Sequence, residues 1–170
     1  MDNLRLGIVA VDPRGAEAAG LIAMLSLDIA ARYDHKDDGS GGFSPEDVLV
    51  PRAAFLVGRV GGEAAACGAY RPFSADEPLV TEIKRMYVRP EFRGRGYSAA
   101  ILAELERRAI LDGYRAVRLE TAYRQAEALG LYQSRGYVRI ENYGKYAGHV
   151  EHLCFEKALG ATVPNDHRRT

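Results

Sequence analysis

Between Ala53 and Val88 three apolar-rich segments follow one another with only short turns between them. Ala53–Val60, the turn Gly61-Gly62 and Ala64–Tyr70 read as a β-hairpin, and Pro78 precedes a third strand, Leu79–Val88. Three strands joined this way form an antiparallel meander. The spacing then changes to a helical one. Ser98–Leu111 places Ile101, Leu102, Leu105 and Ala109 on an inward face, pairs Glu104 with Arg108 four residues apart, and stops at Asp112-Gly113. A strand is expected over Ala116–Glu120 and a second helix over Arg124–Ser134, ended by Gly136. Two more strands follow, Tyr137–Ile140 and Glu151–Glu156.

Ahead of the meander, Leu4–Val11 reads as a strand. Asp12-Pro13 signals a helix start, and the helix should run to about Tyr33 with Leu21, Met24, Leu25 and Ile29 on one face. Asp34–Gly42 is polar and glycine-rich, a loop expected to be mobile, and Ser44-Pro45-Glu46-Asp47 caps a short helix. With no repeat and no linker, residues 1–159 form one domain and 160–170 a flexible tail.

Composition narrows the function. The 170 residues carry 23 Lys plus Arg and 23 Asp plus Glu, so no overall field draws the chain to nucleic acid or to a membrane. Arg85, Arg89 and Arg93 lack the interleaved aromatic platform of a nucleic-acid stripe. Cys67 and Cys154 sit in apolar strands and read as free buried thiols, and His35, His149, His152 and His167 show no metal-ligand spacing with them, so no metal is expected. The start lacks a signal-peptide pattern, and Ala16–Ala31 is too short and too charged to span a bilayer. A cytoplasmic protein is expected.

Arg93-Gly94-Arg95-Gly96-Tyr97-Ser98 lies between a strand and a helix. A helix N-terminus offers unpaired N–H groups and partial positive charge, and glycines let the backbone close around an anion. The segment is therefore read as a pyrophosphate cradle, with Arg93 and Arg95 adding charge. Gly94-x-Gly96-x-x-Ala99 also fits a dinucleotide fingerprint, with Glu120 as the ribose partner, which would make the chain an NAD(P)-dependent oxidoreductase. Against that stand the charged turn Arg89–Arg93 before the glycines, the position after a meander, and the single crossover helix. A simple tight turn is the third reading.

Three ordered blocks carry a resemblance. Arg93-x-x-Gly96-x-Ser98 is similar to the Gln/Arg-x-x-Gly-x-Gly/Ala loop of the GNAT acetyltransferases, departing at serine. Gln125-x-x-Ala128-x-x-Leu131-Tyr132-x-x-x-Gly136-Tyr137 resembles the family's next helix, with Gln for Asn and Tyr for Phe, and Glu82–Pro90 resembles the strand before the loop. The resemblance covers about Leu79 to Phe155. It implies an α/β (α+β) fold: a mixed, mostly antiparallel sheet of about seven strands with helices on both faces. The central strands ending near Val88 and Glu120 would splay to admit the pantetheine arm of acetyl-CoA, and the backbone of Met86 and Val88 would pair with it. The cofactor contacts expected are Met86, Val88, Arg93, Gly94, Arg95, Gly96, Tyr97, Ser98 and Gln125.

Acetyl transfer to a primary amine by direct attack needs positioning, a neutral amine and help for the leaving thiolate. Gln125, Leu129 and Tyr132 share a helical face, with Gln125 and Tyr132 about 10 Å apart along the axis. Tyr132 is the candidate acid: a phenol is neutral at pH 7 and can donate to a forming thiolate. The alternative is a core tyrosine. Glu82 is the candidate base; it shares a strand face with residues 84, 86 and 88 unless a bulge intervenes, and the alternative is a charge paired with Lys84 or Arg85. Tyr143, Tyr146, His149 and His152 form one wall of an acceptor site or a polar surface hairpin, and Asp34–Phe43 the other wall. The acceptor, a small amine or a peptide amine, is not legible, and a homodimer is left open. A non-catalytic acyl-CoA-binding domain is the remaining alternative.

Overall fold

The computed structural model describes residues 5–32 and 41–160. Seven strands form one sheet in the order β1-β2-β3-β4-β5-β7-β6. They are β1 (Gly7–Val11), β2 (Ala54–Val60), β3 (Glu63–Ser74), β4 (Glu77–Val88), β5 (Ala116–Ala122), β6 (Val138–Ile140) and β7 (His152–Ala158). Every pairing is antiparallel except β4 with β5. The helices are α1 (Ala16–Arg32), α2 (Tyr97–Leu111) and α3 (Ala126–Ser134). The expected fold class is the observed one, and a doubly wound dinucleotide sheet is not: among the described residues only one strand pair is parallel.

Each face of the sheet has its own core. On one, Ala18, Leu21 and Leu25 of α1 pack on Phe55, Val57, Cys67, Ala69 and Tyr87. On the other, Ile101, Leu102, Leu105 and Ala109 of α2 meet Leu56, Ala66, Ile83, Val88, Val117 and Leu119, and Tyr132 of α3 joins this cluster. The inward face predicted for α2 is thus the buried one. In α1, Met24 is exposed and Ala18 takes its place in the core. Helix α1 also starts later than Asp12-Pro13 suggested. The Asp12 carboxylate accepts from the Arg14 backbone N–H at 2.9 Å and its carbonyl from Gly15 at 3.1 Å, closing a turn before Ala16. Ser44 does cap the short 3₁₀ turn Pro45–Val48, its N–H donating to Asp47 at 2.9 Å. All of the expected tail but Gly160, and most of the Asp34–Gly42 loop, lie outside the described residues, and none of the described helices is long and apolar enough to cross a membrane.

Two irregularities in β4 shape the centre of the molecule. The first is where its pairing stops. Val80, Thr81 and Glu82 pair with Ala116, Val117 and Arg118, and the ladder ends there, although β4 runs on to Val88 and β5 to Ala122. The two strands diverge, as expected from the resemblance, and leave backbone without a strand partner on both sides of the gap. The second is a bulge. Cys67 opposes Tyr87 and Ala69 opposes Lys84, so β4 carries one residue more than β3 across this interval, and Arg85 adopts φ 58°. The bulge overturns the expected shared face of residues 82, 84, 86 and 88. Glu82 and Lys84 lie with Tyr87 on the α1 side, whereas Met86 and Val88 lie on the α2 side. Opposite the bulge Gly68 is required by space. A Cβ there would meet Ile101, Leu105 and Met86 side-chain atoms at 2.8–2.9 Å.

Candidate active site

The divergence opens two cavities, each of about 530 Å³. Leu25, Met86, Gln125 and Tyr132 line both, so the two meet at the gap between β4 and β5.

The first cavity runs along the glycine segment. Its walls include Met86, Val88, Arg93, Gly94, Gly96, Tyr97, Ser98, Arg124 and Gln125. A 3₁₀ turn, Pro90–Phe92, brings the chain from β4 to the glycines. Gly94 and Gly96 have φ 77° and 79°, and no atom within 4 Å would obstruct a Cβ at either. Backbone conformation, not crowding, therefore selects glycine here. Gly96 caps α2, and the first bond of the helix runs from Ala100 N–H to the Gly96 carbonyl at 3.1 Å. The amides of Tyr97, Ser98 and Ala99 precede that bond and face the same end as the helix dipole. Arg93 donates through Nε to the Val88 carbonyl at 2.9 Å, which fixes its guanidinium near the loop. The Arg89 N–H points to β3, bonding Ala65 at 2.9 Å, so strand alternation turns the Val88 N–H toward the gap. Of the expected contacts, Arg95 alone is not on the cavity wall; its guanidinium lies 5.8 Å from the Phe92 ring. These residues fit a pyrophosphate with an extended arm: a nest of amides, a helix N-terminus, two arginines and free strand backbone beyond.

The second cavity lies on the α1 side. Lys84, Arg85, Glu120, Thr121, Lys145, Tyr146, His149, Glu151 and His152 supply its polar wall. The histidine and tyrosine cluster after α3 is thus a cavity wall, with Tyr143 set behind it. Asn142 holds this wall in shape: its Nδ2 lies 3.2, 2.9 and 2.9 Å from the carbonyls of Tyr146, His149 and His152. Sequence reading missed Asn142, because a single asparagine in a loop carries no spacing signal.

Tyr132 is 6% exposed and stands edge-on to Tyr137, centroids 5.6 Å apart. Its hydroxyl has no hydrogen-bond partner among the described residues, and burial, reinforced by the nearby Glu120 carboxylate, raises its pKa and keeps it a donor. Glu82 is placed differently from its expected role. Its carboxylate accepts from Arg71 at 2.9 and 3.1 Å and from the Tyr143 hydroxyl at 3.0 Å, and it does not line the cavity. Arg71 also pairs with Asp47, which ties the turn after Ser44 to the sheet. Glu120 does line the cavity. Its Oε1 sits 2.7 Å from His152 Nδ1, a pair that the register of β5 and β7 brings together. A carboxylate there favours the tautomer with hydrogen on Nδ1 and leaves Nε2 as an acceptor. The ribose-partner role considered for Glu120 has no counterpart here. No group of three or more His, Cys, Asp or Glu side chains that could hold a metal is found among the described residues.

The splayed sheet thus sets a glycine loop at a helix N-terminus on one side of the gap and a polar cavity on the other. Residues 22–137 match the Acetyltransferase (GNAT) family. The chain belongs to that family and is an acyltransferase. It is 34% identical over 109 residues to an "IAA acetyltransferase" of Azospirillum brasilense, spanning 64% of this chain and 70% of that one. Among solved structures it resembles a protein of Klebsiella pneumoniae assigned as an acyl-CoA N-acyltransferase, with 30% identity, a TM-score of 0.73, and 92% and 99% of the two chains covered. A GNAT family acetyltransferase of Elizabethkingia anophelis, solved with acetyl-CoA bound, shares the fold at a TM-score of 0.65 and 14% identity, with 94% and 100% covered.

Proposed function

We propose that the protein transfers an acetyl group from acetyl-CoA to a primary amine by direct attack. The observation that carries this reading is the meeting of the two cavities at Tyr132. The cradle of Gly94, Gly96, Tyr97 and Ser98, with Arg93, would hold the pyrophosphate, and Gln125 with the backbone of Met86 and Val88 would hold the arm. Acetyl-CoA supplies the acetyl group as a thioester, whose sulfur leaves as a thiolate.

The chain's own groups do the proton work. Tyr132 has a hydroxyl without a partner among the described residues and a pKa raised by burial, so it donates a hydrogen bond or a proton at the sulfur position. On the amine side, His152 Nε2 accepts the proton while Glu120 holds the ring and stabilises the imidazolium. This pair takes the base role expected of Glu82. The bulge at Arg85 leaves β4 backbone outside the β3 ladder beside the gap, where it can orient the acyl carbonyl.

Thiol release from acetyl-CoA with a panel of primary amines tests the reading. The expected result is turnover that falls about 10²- to 10⁴-fold in Tyr132→Phe. If Tyr132→Phe matches the wild type at every pH, the acid role is lost. Acetyl-CoA that binds without turnover of any amine would leave a binding domain only.

A further inference from the structure

Lys84 is the residue that the chemistry above does not use. It stands on β4 next to the bulge, is 9% exposed, and lines the α1-side cavity. Its Nζ donates to the Gly41 carbonyl and to the Tyr146 hydroxyl, each at 3.0 Å. No carboxylate of the described residues pairs with it: Glu82 is taken up by Arg71 and Tyr143, and Glu120 by His152. An ammonium buried without an ion-pair partner is unfavourable, and desolvation pushes its pKa down. Two further cations line the same cavity. Arg85 reaches Ser26 Oγ at 3.2 Å from the bulge, and Lys145 lies above the Tyr146 ring at 5.4 Å. Among the described residues the acids on the lining are Glu120 and Glu151, beside the cations Lys84, Arg85 and Lys145. Leu25, Ile29, Ile83, Met86 and Ala122 add an apolar stretch to the lining.

We infer that the acceptor carries a carboxylate as well as its amine, that is, it is an amino acid or a close analogue, with the carboxylate seated on Lys84 and the amine turned to His152. The inference rests on the amine-acetylating reading and names its substrate class. A carboxylate on Lys84 completes the third donor direction of the ammonium and neutralises its buried charge. Lys145 and Arg85 extend the same positive wall, and the apolar lining receives the side chain. Tyr146 links the two groups, its hydroxyl 3.0 Å from Lys84 Nζ and its ring centroid 4.9 Å from that of His152, so a cation and the Glu120–His152 pair stand within the span of one small zwitterion.

The test compares each common L-amino acid with its carboxamide and its decarboxylated amine, measured as kcat/KM for thiol release. Wild type should prefer the carboxylate form of its best amino acid by about 10- to 100-fold. Lys84→Met should bring that ratio toward one, and Lys84→Arg should restore part of it. Lys145→Met, at a more exposed position, should lower the ratio less. A second readout does not need turnover: thermal shift with the N-acetyl amino acids and with the matching N-acetyl amines. Carboxylate-dependent stabilisation that Lys84→Met removes supports the inference even if no amine is acetylated, a result that would sink the catalytic reading alone. Equal handling of acid, amide and amine, or a ratio untouched by Lys84→Met, overturns the carboxylate site.

Discussion

At the scale of single residues, two glutamates on neighbouring strands differ in their partners. Glu82 looked suited to a base because it precedes the glycine loop by a short stretch of strand. Strand periodicity reports which face a side chain takes, not who its partners are, and Arg71 and Tyr143 come from β3 and from the loop after β6. Glu120 was noticed only as a ribose partner, because its real partner, His152, is 32 residues away in sequence. Helical spacing from Gln125 placed Tyr132 on the face that lines both cavities, whereas its role came only from the family resemblance. These placements predict different losses. Glu82→Gln removes a buried ion-pair partner of Arg71 and should lower unfolding stability by about 1–3 kcal/mol, with the larger part of its effect in the denaturant midpoint. Glu120→Gln should leave the midpoint closer to wild type and lower kcat by about 10²-fold, because the imidazole loses the charge that orients it. Chemical denaturation and steady-state kinetics on the two variants check the contrast. Equal kinetic losses would put Glu82 back in the reaction.

At the scale of elements, strands and helices were read from the sequence nearly throughout. The β2–β3 hairpin, the long β4, the face of α2 and the end of α3 follow from turn glycines and apolar spacing. The bulge did not, because it arises between strands: β4 must absorb one extra residue where Gly68 lets α2 approach. Two glycines show how local conformation decides the sign of one substitution. Gly96 has φ 79° at the N-cap of α2, so Gly96→Ala is strained by about 1–2 kcal/mol although no atom blocks the new methyl. Its relief would turn the amides of the cradle, and KM for acetyl-CoA should rise by about tenfold. Gly20 lies inside α1 with ordinary helical conformation and nothing within 4 Å of a Cβ. Gly20→Ala should therefore raise stability by about 0.5–1 kcal/mol and leave KM for acetyl-CoA alone. Thermal melts with and without acetyl-CoA distinguish the two. A Gly96→Ala protein that is destabilised yet keeps its KM would mean that the loop does not hold the pyrophosphate.

For the whole molecule, the two-faced core sets how the protein responds to alkali. Cys67 is fully buried against α1, and burial pushes its thiol from an ordinary 9.0 up to about 12. Cys154 is also raised from 9.0, chiefly by burial. Tyr132, Tyr137, Tyr143 and Tyr146 are raised from 10.0 for the same first reason, strengthened by Glu120, Glu106 or Glu82. A group whose pKa is higher in the folded chain holds its proton more tightly there. Its stabilisation is complete below the unfolded value and disappears as pH rises through the folded one. The thiols thus begin to withdraw stability above pH 9, at up to about 1.4 kcal/mol per pH unit each, and the phenols join above pH 10. Lys84 acts in the opposite direction, since burial lowers it from 10.5 and the unfolded chain then binds the extra proton. The comparison that isolates the thiols is wild type against the Cys67→Ala, Cys154→Ala double variant, in which Lys84 and the tyrosines are common to both. Below pH 9 the stability difference should be constant, reflecting only lost packing. From pH 9 to about 12 it should shrink, because only the wild type loses the thiol contribution. Urea unfolding at intervals across that range measures it. A difference that stays flat to pH 11 would mean that both thiols ionise in the native state near their ordinary value, and that the sheet opens locally over Cys67 rather than keeping α1 closed on it.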